Sequence, residues 1–484
     1  MTAKSTARPG LWHQLTMRLK DNSARPYFDY VNILITVALL ATIGLIMVSS
    51  AAVAKSEREA NSVWTLPLHQ LTMVSLGFVA LWAALKIRPQ VVRRLSSAIL
   101  AVSILLLILV LIPQVGTGLA ETGSQSWITL GPLTIQPSEI ARVAIVMWGA
   151  DKLAGKKLRM TSMHEPLVQY LVVSAVMAML IVAEHDLGMA ISFMLVVVVL
   201  LFLVGVDIRF LGAMGMLLVI GVIGLSLFST QFRKDRITVF LNIFWGKFED
   251  STHSSFQSYQ GLLSIAEGGI TGVGIGQSRA KWFYLPEAHN DFIFAIVGEE
   301  IGLIGGVLLI SLFAWLGYIG LRIAQKSSSP YLSLLSSTLV MAVVLQAFIN
   351  IAYVVALLPV TGIQLPMISS GGTSAIITLG AMGLVASAAR HESDAISAMQ
   401  ANGRPWIDRV LLLPEPHLEG LDRPGAARPR TGTRASHTPI TRQLPARNQR
   451  RTPPQPTQPR QARGRRHMNG NSLRRSPRRE YPRS

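Results

Sequence analysis

Runs of about 20 apolar residues recur along this chain, and each is long enough to cross the hydrocarbon core of a bilayer as a helix. Ten can be read from hydropathy, roughly at 30–53, 66–85, 97–112, 139–154, 168–183, 188–204, 210–228, 291–321, 331–357 and 372–389. The eighth is long enough to be tilted or broken. A soluble protein of 484 residues has no need of such runs, and only 15% of these residues are charged. The expected fold is therefore all-α and polytopic, with about ten transmembrane helices and one large loop, 229–290, between spans seven and eight. Disulfides and cysteine-ligated metal sites are excluded, because the chain has no cysteine.

Charge orients the spans. One set of short loops carries Lys86, Arg88, Arg93 and Arg94, then Lys152, Lys156, Lys157 and Arg159, then Arg209, then Arg322 and Lys326. In the opposite set, the first loop has Lys55 and Arg58 and the other short ones have no lysine or arginine. The positive-inside rule puts the basic set and both termini in the cytoplasm and the 229–290 loop outside. Residues 1–29 form a polar cytoplasmic arm. The first apolar run is too long for the h-region of a cleavable signal peptide. Residues 391–484 hold 19 arginines against seven acidic residues and are rich in proline, glutamine, glycine and serine. Such a segment is expected to be disordered and cytoplasmic.

Five segments could carry chemistry. The first contains Gln136-Pro137-Ser138-Glu139, with Ser138 as a candidate N-cap; Glu139 and Arg142 share a helix face and can pair. The second, Glu184-His185-Asp186, clusters three titratable groups at a turn between spans, suited to proton transfer or to capping by Asp186. In the large loop, Arg233, Lys234 and Arg236 suit a phosphate or pyrophosphate. Farther along it, the glycines of 268–276 make either an anion cradle or a tight turn. The fourth segment, with Lys281 and Leu285-Pro286-Glu287-Ala288-His289-Asn290-Asp291, puts a carboxylate between water and lipid, as an acid–base group or as a helix cap. Glu299 and Glu300 follow about 12–14 Å deeper, too far into a helix to be caps. The fifth runs from Asn350 and Tyr353 to Leu365-Pro366-Met367-Ile368-Ser369-Ser370-Gly371-Gly372-Thr373-Ser374, non-helical backbone of the kind tolerated where it lines a cavity or packs on protein.

In this order and on this topology, the segments resemble the SEDS family, the FtsW/RodA peptidoglycan polymerases. Leu358-Pro359-Val360-Thr361-Gly362-Ile363-Gln364 and the long polar tail are similar to its division branch, FtsW, in the actinobacterial form. The resemblance implies the SEDS fold and a multi-pass place in the bacterial cytoplasmic membrane, at the division septum. It also implies an inverting glycosyltransferase acting outside the cell, which joins lipid II to a glycan held on undecaprenyl pyrophosphate. Asp291 matches the family's essential aspartate and would be the general base. Arg233, Arg236 and Lys281 would steady the pyrophosphate, and Glu139, His289, Ser369 and Ser374 would contact substrate. Arg142, Asp186, Glu299 and Glu300 are structural or proton-relay candidates. A divalent cation, Mg or Mn, is a candidate to share the charge, although no ligand set in the sequence identifies one. The implied partners are a class B penicillin-binding protein and other division proteins, with an acidic cytoplasmic protein or anionic lipid for the arginine-rich tail and no role for nucleic acid. The chain departs from the family pattern with His185 where proline is common, Asn290 where threonine is frequent and Ser370 where tyrosine is frequent.

Other readings use the same residues. A lipid II flippase would account for glutamates spread over several spans, although the distinctive residues gather at one membrane face. A RodA-like elongation polymerase would share the chemistry. A non-catalytic division scaffold would not depend on Asp291.

Overall fold

The computed structural model describes residues 27–58, 64–119, 123–131, 133–156, 158, 160, 162, 164–227, 253–279 and 290–416. Its helices in chain order are α1 (Phe28–Arg58), α2 (Thr65–Lys86), α3 (Pro89–Val110), α4 (Pro137–Leu153), α5 (Pro166–Ala183), α6 (Leu187–Val204), α7 (Ile208–Leu227), α8 (His253–Gly268), α9 (Ile293–Lys326), α10 (Pro330–Val354), α11 (Thr373–Arg390), α12 (Ser393–Asn402) and α13 (Trp406–Val410). Among the described residues, eight helices (α1, α2, α3, α5, α6, α9, α10 and α11) are long and apolar enough to span a membrane. Helices α4 and α7 stand at the fourth and seventh expected spans, which brings the correspondence to ten. At 17 residues and with Glu139, Arg142, Asp151 and Lys152 along it, α4 is the shortest and most polar of the ten. The chain is a multi-pass, all-α membrane protein.

Proline sets where several helices begin. Pro89, Pro137, Pro166 and Pro330 each occupy the first helical turn, where the missing N–H costs nothing. In α4 this corrects the expected cap. Gln136 is the N-cap, Pro137 follows, and Ser138 is already buried inside the first turn. Ahead of it, β1 (Gly116–Thr117), β2 (Trp127–Leu130) and β3 (Leu133–Ile135) form a small antiparallel sheet in that order. Ile128 pairs with Gly116 on one side and Ile135 on the other, delivering the chain to Gln136.

Helices α9, α10 and α11 are the most buried, whereas α3 and α5 turn most of their surface outward. Helix α11 runs along α2 at close range: a Cβ on Gly383 would stand 2.6 Å from the Leu81 carbonyl oxygen. Helix α9 is broken, as its length allowed. Gly302 has φ 75° and ψ −165°, a conformation essentially confined to glycine. The chain after α8 fills the break: Leu303 N–H donates to Gly269 O (2.9 Å), Val273 N–H to Glu299 O (2.9 Å) and Gly274 N–H to Glu300 O (3.0 Å).

At the far end of α9, Asp29 holds Arg322 (2.9 Å) and Lys326 (2.5 Å), tying the start of α1 to the end of α9. Residues 391–416, expected to begin a disordered tail, are instead folded here. Asp408 is fully buried and takes hydrogen bonds from Arg390 Nε (2.8 Å) and Tyr30 (2.9 Å). Ala395, Ile396, Met399 and Leu413 are buried beside it. Composition averaged over the whole tail hides these apolar residues, because 17 of its 19 arginines come after Pro416.

Replacing Gly302 with alanine puts a Cβ 2.3 Å from the Gly272 nitrogen at a backbone conformation that alanine resists. Gly302→Ala is expected to lower stability by at least about 2 kcal/mol. Thermal unfolding in detergent, compared with Gly306→Ala in the same helix, where a Cβ would meet nothing nearer than 3.5 Å, measures this.

Candidate active site

The N-cap of α9 is Phe292, and Asp291 stands one residue before it, half-buried, where a polar segment enters the bundle. Its main chain is held by α10: Asn350 Nδ2 donates to Asp291 O (3.0 Å), and Tyr353 OH lies 3.1 Å from the same oxygen. Both side chains are fully buried, and both also reach Ile363 O, at 2.8 and 2.7 Å. Asn290 O accepts from Ser369 Oγ (2.8 Å), and Asn290 Oδ1 accepts from Ser370 Oγ. The backbone beneath the carboxylate is thus fixed from α10 and from the segment before α11.

The first turn of α11 and the segment before it grip a second cluster. Glu139 pairs with Arg142 one turn along α4, as their spacing predicts. Glu139 Oε1 also accepts from Ser374 Oγ (3.0 Å). Arg142 reaches across the bundle to Ser192 Oγ (2.6 Å) on α6 and to Gln346 Oε1 on α10. Gln346 Nε2 in turn donates to Gln364 O (3.0 Å). Ser192 and Gln346 escaped the sequence analysis. The signal was there, because an amide within an apolar span needs a protein partner.

Asp186 does cap α6, accepting from Met189 N–H (3.0 Å), and also takes Gln136 Nε2 at 3.2 Å. His185 before it has φ 64°, in the left-handed region that proline cannot enter. Glu184 is fully buried, and among the described residues neither carboxylate oxygen has a hydrogen-bond partner. Burial, with Asp186 nearby, pushes its pKa up to about 9, so it carries a proton at neutral pH.

Glu299 and Glu300 are buried and tied. Ser278 Oγ (2.7 Å) and Arg279 N–H (2.6 Å) donate to Glu299, and Ser50 Oγ donates to Glu300 (2.7 Å). With the hydrogen bonds across the helix break, this settles the glycine-rich segment as a tight turn. The N–H groups of Gly272, Val273 and Gly274 are spent on carbonyls and form no anion cradle. Arg233, Arg236, Lys281 and His289 lie outside the described residues. Among the described residues, no group of three or more His, Asp or Glu side chains is arranged to hold a metal. The oxygens of Glu139 and Asp186 are engaged as given above.

Residues 30–394 match the FtsW/RodA/SpoVE family, described as cell cycle protein. The chain belongs to this family. It is 39% identical over 447 residues to the probable peptidoglycan glycosyltransferase FtsW of Mycobacterium tuberculosis, covering 90% of this chain and 84% of that one. It is 36% identical over 363 residues to stage V sporulation protein E of Bacillus subtilis, covering 75% and 97%. Two solved structures share its fold. One is a chain described under the structural coordination of polymerization and crosslinking by a peptidoglycan synthase complex (TM-score 0.60, 23% identity, covering 75% of this chain and 97% of that one). The other is the rod shape determining protein RodA of Thermus thermophilus (TM-score 0.54, 24% identity, covering 75% and 96%). Asn290 and Ser370 are hydrogen-bond partners, which makes a side-chain tie next to Asp291.

The buried Glu184 proton has a consequence for stability. The unfolded chain loses it near the ordinary carboxyl value of 4.5, the folded chain only near 9. Folding therefore weakens as pH rises through that window and levels off above it. Glu184→Gln should gain stability over wild type between pH 5 and pH 9, measured as the difference in thermal midpoint. Equal losses in both proteins would refute the assignment of that slope to Glu184.

Proposed function

We propose that this protein polymerises lipid II into glycan strands at the outer face of the bacterial cytoplasmic membrane during cell division. The single observation that carries this reading is Asp291, a half-buried carboxylate whose backbone is fixed by Asn350, Tyr353 and Ser369, in a family whose 39% identical member is a probable peptidoglycan glycosyltransferase. The positive-inside distribution supports an outward-facing Asp291, cytoplasmic termini and a substrate that arrives already activated.

In the reaction proposed, the Asp291 carboxylate takes the proton from the 4-hydroxyl of the acceptor sugar. That oxygen forms a bond to the anomeric carbon of the glycan on undecaprenyl pyrophosphate. The carbon–oxygen bond to pyrophosphate breaks, the electron pair leaves with the lipid pyrophosphate, and an α-linked donor becomes a β-linked product. Arg233, Arg236 and Lys281 are assigned to the departing charge. His289 is assigned to the substrate's polar groups; Glu139, Ser369 and Ser374, candidates for the same task, are buried and spend their side chains on protein partners. The Glu139–Arg142 pair, with Ser374, Ser192 and Gln346, holds α4, α6, α10 and α11 together. A class B penicillin-binding protein is the proposed partner. The peptidoglycan synthase complex among the fold relatives supports that pairing.

The flippase reading loses support because three of the four glutamates it would use, Glu139, Glu299 and Glu300 but not Glu184, are occupied by protein partners. A transport pathway needs such groups free to exchange. A scaffold has no need for a fixed backbone under an accessible carboxylate.

The test reconstitutes the full chain with its transpeptidase partner, whose own active site is blocked, and supplies lipid II. Wild type should form glycan strands, and Asp291→Asn should form none while still inserting and binding the partner. Strands from Asp291→Asn would end the assignment. Asn350→Ala removes one of the two side chains that hold the Asp291 carbonyl, and misplacing a catalytic group by about 1 Å costs on the order of 100-fold in rate. Its kcat should fall by about that factor with KM changed far less, as steady-state kinetics in the same assay would measure.

A further inference from the structure

Residues 393–416 have two unlike sides. The inner side is anchored: Asp408 on Arg390 and Tyr30, Arg390 on Pro414 O, Leu411 O on Trp82 Nε1 (2.8 Å) and Leu413 fully buried. The outer side exposes Trp406 (71%), Val410 (69%) and Leu412 (78%). Trp406 and Val410 are four apart on α13 and share a face. Leu412 follows in a left-handed turn, φ 52°, an uncommon conformation for leucine that persists only where its surroundings enforce it. Here Leu413 buries inward while Leu412 turns out.

The position of this edge identifies what covers it. Its anchors are the first turn of α1 (Tyr30), the last turns of α2 (Trp82) and the last residue of α11 (Arg390). The edge therefore sits level with the ends of three spans, at the boundary of hydrocarbon and water. Tryptophan is favoured at that boundary. Basic residues surround it. Lys86 Nζ lies 4.6 Å over the Trp82 ring, Arg409 is exposed, and Arg404 is exposed and pairs with Glu415 at 3.3 Å. After Pro416 the sequence continues with 17 arginines against three acidic residues.

We propose that residues 393–416 form a strap that seats Trp406, Val410 and Leu412 in the inner leaflet, with Arg404 and Arg409 meeting anionic phospholipid headgroups. The strap places the start of the basic tail against the membrane and couples that contact to α1, α2 and α11 through the buried Arg390–Asp408–Tyr30 group. The inner-leaflet assignment rests on the orientation proposed above; the seating in lipid does not.

Because the chain has no cysteine, a single introduced cysteine can carry a unique spin label. The full chain with Val410→Cys or Leu412→Cys, both at exposed positions, is reconstituted in lipid discs of phosphatidylcholine with or without phosphatidylglycerol. Collision of the label with oxygen and with a water-soluble nickel chelate is then measured, and Ser397→Cys on the exposed face of α12 serves as reference. Labels at 410 and 412 are expected to favour oxygen several-fold more than the reference label, and more so with phosphatidylglycerol present. Nickel access equal to the reference would overturn the strap. Protection from both reagents would overturn it in favour of a protein contact. An identical result in both lipid mixtures would overturn the anionic preference. If lipid seating holds but an impermeant thiol reagent added outside intact cells reaches position 397, the orientation fails and the strap stands.

Discussion

Backbone that is not helical has to find its hydrogen bonds from protein where water is excluded, and this constraint shapes the functional end of the bundle. The chain leaves helical geometry at three places there: before α9, between α10 and α11, and at Gly302. The first two solve the problem together. Asn350 and Tyr353 bridge Asp291 O and Ile363 O, while Ser369 ties Asn290 O to the segment that leads into α11. Fixing Asp291 is thus a by-product of satisfying carbonyls that lipid cannot. At the third place the turn after α8 supplies the missing partners; Glu299 and Glu300 hold that turn through their carbonyls, and Glu299 also through its side chain on Ser278 and Arg279.

Buried charge follows the same logic. Removing one member of a buried ion pair typically costs about 3–5 kcal/mol, because the other is left uncompensated. Glu139 and Arg142 avoid this by engaging Ser374, Ser192 and Gln346 as well as each other. Glu184 has no such partners and keeps its proton instead. The bundle therefore holds charge where it can be shared between helices and neutralises it where it cannot.

Much of this was legible in the sequence, for identifiable reasons. The spans were, because an apolar run of the right length has few alternatives in a membrane. The Glu139–Arg142 pair was, because their spacing shares a helix face, and so was the Asp186 cap. The cap of α4 was misplaced onto Ser138, although Pro137 at the first helical position points to Gln136. Partners such as Ser192 and Gln346 depend on which helices meet, which one chain read alone does not give. The glycine-rich segment was ambiguous because glycine serves an anion cradle and a tight turn equally; only its hydrogen bonds to Glu299 and Glu300 decide between them. The folded start of the tail was hidden by averaging over the arginines behind it.

The central claim is that the segment between α10 and α11, together with the first turn of α11, makes Asp291 and the Glu139–Arg142 pair one mechanical unit. Hydrogen exchange of the full chain in lipid discs tests it most directly. Ser374→Ala cuts the tie to Glu139 without touching Asn290, Asn350 or Tyr353. The account predicts that amide protection falls together over 363–374 and over the first turns of α9, where Asp291 enters the bundle. A loss of protection confined to the residues around Ser374 would contradict it.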